Sequence, residues 1–158
     1  MASRLDSELY IRELDSVISQ DIPWEGLASK TVAVSGATGM IGSFLIDVLM
    51  RKDEAEGLGC SVLALGRSEA KARERLSYFG RSEFSFEEMD ISKPGSSLQG
   101  HADYVLHLAS ATHPRAYATD PIGTIDGNVF GLRNLLSYAS ECGATLLFAS
   151  SVEVYGEN

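Results

Sequence analysis

The chain has 158 residues, 44% of them hydrophobic and 22% charged, and 22 acidic residues against 13 basic ones leave a net charge of −9. That length suits one domain, and that apolar share excludes a generally disordered chain. So acidic a surface repels phosphate backbones and anionic lipids, which excludes nonspecific nucleic-acid or membrane-surface binding; an anionic ligand must be held by local dipoles.

No apolar run approaches the roughly 20 residues that cross a bilayer. Arg4, Asp6 and Glu8 stand where a signal peptide would place its apolar core, so a cytoplasmic protein is expected. Two cysteines, Cys60 and Cys142, make neither a disulfide framework nor a metal site.

Along the chain, residues 4–19 alternate apolar and charged positions at helical spacing, with Tyr10, Leu14 and Val17 on one face. Pro23 and Gly26 end that pattern, so residues 1–30 are expected to form a helical extension on a main domain of residues 31–158. Thr31–Ser35 is a β-branched apolar run of the kind found in strands buried on both faces. Ile41, Leu45, Val48 and Leu49 then fall at helical spacing as far as Arg51. Ser61–Leu65 reads as a second buried strand, and Ser68 as the cap of a polar helix through Leu76. Phe84–Met89 and Tyr104–Leu108 read as a third and a fourth strand, with Glu87 and Glu88 a solvated strand end.

A long helix follows, with Asp120 as cap, Pro121 at its first position and Gly143 as left-handed terminator. Ile122, Ile125, Val129, Leu132, Leu136 and Ala139 form one continuous apolar stripe along it. Thr145–Ala149 is the fifth strand. Strands alternating with helices imply right-handed crossovers and an α/β fold, a doubly wound parallel sheet.

The segment from Gly36 to Gly42 joins the first strand to the first long helix, with glycines at Gly36, Gly39 and Gly42. The first permits a tight turn, the second lets a pyrophosphate approach the backbone, and the third lets helix and strand pack closely. A helix N-terminus presents free amides and about half a positive charge, enough to hold a diphosphate without lysine; the alternative is an ordinary strand-to-helix turn. Thr38, Met40 and Ile41 belong to the same loop and helix start and join the coenzyme-binding set.

Gly36-x-x-Gly39-x-x-Gly42, Asp90-Ile91, His107-Leu108-Ala109-Ser110, Asn128-Val129-Phe130-Gly131 and Ser150-Ser151-x-x-Val154-Tyr155-Gly156 occur in that order. Together they resemble the extended short-chain dehydrogenase/reductases, the group of NAD(P)-dependent nucleotide-sugar epimerases, dehydratases and decarboxylases. The resemblance covers roughly Lys30 to Asn158. It implies a Rossmann domain in which Asp90 bonds the adenine amino group and Ile91 offers its backbone; otherwise Asp90 merely caps a turn. It also implies that Leu108, Ala109 and Ser110 run beneath the ribose and diphosphate, and that Asn128 braces the active-site strands, unless it is a solvated helix position. Ser151 matches the catalytic Ser/Thr, with a polar strand end as the alternative. Tyr155 belongs to a Val-Tyr-Gly element and reads as structural or substrate-lining, beside Thr112 and His113 at the substrate mouth.

Arg67 follows the second strand where NAD-binding proteins carry an acid, which tilts the choice from NAD to NADP. It can instead stack on adenine and accept NAD, or be a plain surface arginine. The family's Tyr-x-x-x-Lys pair does not occur in the sequence after Ser151. The expectation is therefore the N-terminal half of such an enzyme, inactive alone on nucleotide sugars. Its fifth strand would be an open edge, inviting a homo-dimer. The second reading is a non-catalytic NAD(P)-binding or sensor module. His107 and His113 lack companion ligands, so no metal is expected.

Overall fold

The computed structural model of the chain describes residues 3–110 and 118–156. Five parallel strands, β1 (Thr31–Ser35), β2 (Ser61–Gly66), β3 (Phe84–Glu88), β4 (Tyr104–His107) and β5 (Thr145–Phe148), pair in the order β3-β2-β1-β4-β5. Among the described residues the α-helices α1 (Glu8–Ile18), α2 (Met40–Glu56), α3 (Glu69–Arg75) and α4 (Pro121–Cys142) accompany them. The doubly wound α/β architecture expected from the alternation of elements is the one observed. The chain leaves β1 toward β2 on one side and reaches β4 on the other, so a crevice opens where the strand order reverses.

Alternation along the strands divides the core between the two sheet faces. Val32, Val34 and Ala64 meet Ile46, Leu49 and Met50 of α2 on one side; Ala33, Leu63, Leu65 and Val105 meet Leu135 and Tyr138 of α4 on the other. Ser68 caps α3, Asp120 caps α4, and Gly57 and Gly143 end α2 and α4 in left-handed geometry.

Several expectations change. Helix α2 runs on past Arg51 to Glu56, and Ile41 is exposed, because its core face is set by Ile46, Leu49 and Met50. Most of the apolar stripe of α4 does not face the core: Ile122, Ile125, Val129 and Leu136 are exposed and Leu132 is half-buried, while Ala139 is buried. The buried row holds Gly131, Asn134, Leu135, Tyr138 and Ala139. Close approach decides this. A Cβ at Gly131 would lie 3.1 Å from Ile91 Cδ1. The Tyr138 hydroxyl accepts from Ala102 N at 2.7 Å and donates to the Gly100 carbonyl at 2.8 Å. Glu87 and Glu88 are more than a solvated strand end: their carboxylates accept from the backbone N–H of Gln99 and of Glu69, respectively.

Residues 3–30 lie along the outer face of α2. Leu14 is fully buried there, and Tyr10 meets Phe44 edge to face at 6.0 Å.

Candidate functional site

The turn after β1 is built by close approach. Gly36 has φ 73°, and a Cβ on it would lie 2.8 Å from Ala109 N, so the exits of β1 and β4 pass too near each other for a side chain. A Cβ on Gly42 would collide with the Gly36 carbonyl, which seats the first turn of α2 directly on the loop.

The start of α2 differs from the others. Ser7, Ser68 and Asp120 cap α1, α3 and α4 with a side chain, whereas Gly39 caps α2 with none. The first backbone bond into α2 runs from Ser43 N to Gly39 O at 3.0 Å. The amides of Met40, Ile41 and Gly42 are therefore left for a ligand at the positive end of a 17-residue helix. A glycine cradle with an uncapped helix start fits a dinucleotide diphosphate.

A cleft of about 340 Å³ extends from this loop across the carboxyl ends of the strands. Its walls are Gly36, Thr38 and Gly39, the Leu65–Arg67 turn, Met89–Ser92, Leu108–Ser110, and Gly123 and Gly127 of α4. A groove of about 720 Å³ along α4 and Phe148 is larger, and Val129, Leu132 and Leu136 give it an apolar wall. The smaller cleft is the one onto which the glycine turn opens.

Arg67 and Asp90 enter the cleft from neighbouring strand ends. Asp90 Oδ1 accepts from the Ser92 hydroxyl at 2.6 Å and from Ser92 N at 3.1 Å. The Ser92 hydroxyl above all, with the nearby Arg67 guanidinium adding to it, holds the Asp90 carboxyl below its ordinary range. The two readings of Asp90 are thus compatible, since it caps its turn and lines the cleft. Ser110 Oγ donates to Asn128 Oδ1 at 2.9 Å, joining the floor to α4.

Beneath the floor, Ser35 Oγ accepts from Leu108 N at 3.2 Å and from Ala109 N at 3.4 Å, and bonds His107 Nδ1 at 2.8 Å. His107 is buried, its Nε2 has no hydrogen-bond partner among the described residues, and burial pushes its pKa below the ordinary value.

Gly36, Thr38, Gly39, Arg67, Asp90, Ile91, Leu108, Ala109 and Ser110 therefore line one cleft. Met40, Ile41 and Gly42 stand at its helix start, and Asn128 touches it through Ser110. Ser151 and Tyr155 follow β5, are exposed and are not in its lining. Thr112 and His113 fall outside the described residues.

The sequence reading missed Gly123 and Gly127. Their signal was the four-residue spacing Gly123, Gly127, Gly131, one face of a helix. It also missed Asn134, whose side-chain amide donates to the carbonyls of Ile91 (2.8 Å) and Lys93 (2.7 Å) and fixes the Asp90 turn. Among the described residues no group of three or more His, Cys, Asp or Glu is placed to hold a metal, and no helix is long and apolar enough to cross a membrane.

A family model described as the NAD dependent epimerase/dehydratase family matches residues 32–158. The chain belongs to that family. It is 34% identical over 151 residues to UDP-glucuronic acid decarboxylase 1 of Danio rerio, covering 93% of this chain and 34% of that protein. It is 32% identical over 130 residues to UDP-glucuronic acid decarboxylase 5 of Arabidopsis thaliana, covering 82% of this chain and 36% of that one. The crystal structure of a UDP-galactose 4-epimerase superposes with a TM-score of 0.64 and 29% identity, over 80% of this chain and 40% of its own. The chain thus spans little more than a third of the curated relatives it matches.

Proposed function

We propose that this chain is the coenzyme-binding portion of an NAD(P)-dependent enzyme that epimerises, dehydrates or decarboxylates a nucleotide sugar. The observation that carries the reading is the uncapped start of α2 seated on the Gly36–Gly42 turn. A bound nicotinamide coenzyme would supply a reversible hydride acceptor for the sugar. This chain's residues bind and orient. The amides of Met40 and Ile41 receive the diphosphate, Asp90 and the Ile91 backbone receive the adenine, and the Leu108–Ser110 backbone underlies the ribose and diphosphate. Ser151 hydrogen-bonds the sugar oxygen, with Thr112, His113 and Tyr155 lining the substrate mouth.

Arg67 supports a preference for NADP over NAD, because no acid stands at the end of β2 to grip a ribose 2′-hydroxyl. The outer edge of β5 and the exposed row of α4 support self-association. The division into a 1–30 extension and a 31–158 Rossmann domain, and a cytoplasmic location, belong to the same proposal.

Calorimetric titration with NAD⁺ and NADP⁺ tests it. Binding of either coenzyme with one site per chain is expected, as is a shift toward NAD⁺ in Arg67→Asp. Absence of binding contradicts the reading.

A further inference from the structure

We propose that the N-terminal segment is a positioning element of the coenzyme cleft, acting through Arg4 and Asp47; this rests on the coenzyme reading above. Asp47 lies on the outer face of α2, about two turns from its start, and is fully buried. Its carboxylate accepts four bonds. Arg4 Nε reaches Oδ2 at 2.5 Å and Nη2 reaches Oδ1 at 2.8 Å. The Tyr10 hydroxyl reaches Oδ2 at 2.6 Å and the Tyr78 hydroxyl reaches Oδ1 at 2.9 Å. A buried carboxylate so fully occupied has one position.

Arg4 also bonds two backbone carbonyls that matter for the cleft. It donates to that of Arg75 in the last turn of α3, and its Nη2 donates to that of Ser43 in the first turn of α2, at 3.4 Å. The Ser43 hydroxyl donates to Met40 O at 3.3 Å and accepts from Arg75 Nε at the same distance. Arg51 to Asp15 and Lys52 to the Ile18 carbonyl continue the attachment along α2.

Helix α2 begins at the diphosphate amides, and α3 begins just after Arg67. By joining them, Arg4 sets the spacing between the phosphate end and the adenosine end of the cleft. Loosening that join costs affinity for a ligand that spans both ends and spares one that reaches only the Arg67 turn.

The test is titration of NAD⁺ and of adenosine, which carries no phosphate, into the unsubstituted chain, Arg4→Met and Tyr10→Phe, below each melting transition. Arg4→Met should weaken NAD⁺ binding roughly tenfold and Tyr10→Phe about threefold, with adenosine binding unchanged within about twofold. Should Arg4→Met fail to fold, Tyr10→Phe decides, since it keeps the ring against Phe44 and removes one hydrogen bond. Equal NAD⁺ affinities in the folded chains, or a parallel loss for adenosine, overturn this inference alone. No NAD⁺ binding by the unsubstituted chain overturns the coenzyme reading and this inference with it.

Discussion

Helix α2 carries a polar outer row that is buried, and helix α4 carries an apolar outer row that is exposed. Ser43, Asp47 and Lys52 lie beneath residues 3–30, whereas Ile122, Ile125, Val129 and Leu136 face outward among the described residues. Amphipathic logic would place each row the other way round. What decides is the neighbour. On α2 each buried charge meets a partner of matching chemistry, Asp47 with Arg4 and Lys52 with the Ile18 carbonyl and Glu56. A helix held so firmly from outside can leave its own start uncapped for a ligand. Helix α4 is held from one side, through Gly131, Leu135 and Tyr138, and contributes glycines rather than amides to the cleft.

The contrast is broken most severely at Asp47. Asp47→Ala leaves the Arg4 guanidinium and two tyrosine hydroxyls without their acceptor, and should cost about 3 kcal/mol in urea unfolding. Gly42→Ala comes next: its methyl meets the Gly36 carbonyl, a backbone atom that cannot swing away, so a loss of about 2 kcal/mol is expected. Calorimetry of Gly42→Ala should show NAD⁺ binding abolished, where a change on the outer row of α4 would leave it intact.

A smaller effect comes from His107. Burial lowers its pKa from 6.5, so below that pH the unfolded chain takes up the proton first. Stability should therefore be complete above about pH 6.5 and fall as the pH drops toward the lower folded value, by at most about 1.4 kcal/mol per pH unit. Melting temperatures of the chain and of His107→Phe across pH 5–8 check this; the variant should show the shallower dependence. Least of all, Leu136→Lys on the exposed row should shift the stability of the dilute, monomeric chain by no more than about 0.5 kcal/mol. A larger loss in chemical unfolding would mean that this row is covered.

Much of the fold was legible because its signals are local. The β-branched run Thr31–Ser35, the caps Ser68 and Asp120, and the terminator Gly143 act within a few residues of themselves, and the structure has each in its expected role. The glycine turn was legible for the same reason. What escaped depends on distant partners. Nothing near Asp47 in sequence announces Arg4, and nothing near Asn134 announces the carbonyls of Ile91 and Lys93. Periodicity located the apolar stripe of α4 but could not choose the face toward the sheet. That choice came from Gly131 and Tyr138, where side-chain size and one hydroxyl fit the strand ends.

The most direct measurement is a crystal structure of the chain with NAD⁺ bound. The account predicts diphosphate oxygens about 3 Å from the amides of Met40 and Ile41, with the adenine beside Asp90. A diphosphate bound anywhere else, including the groove along α4, would contradict it.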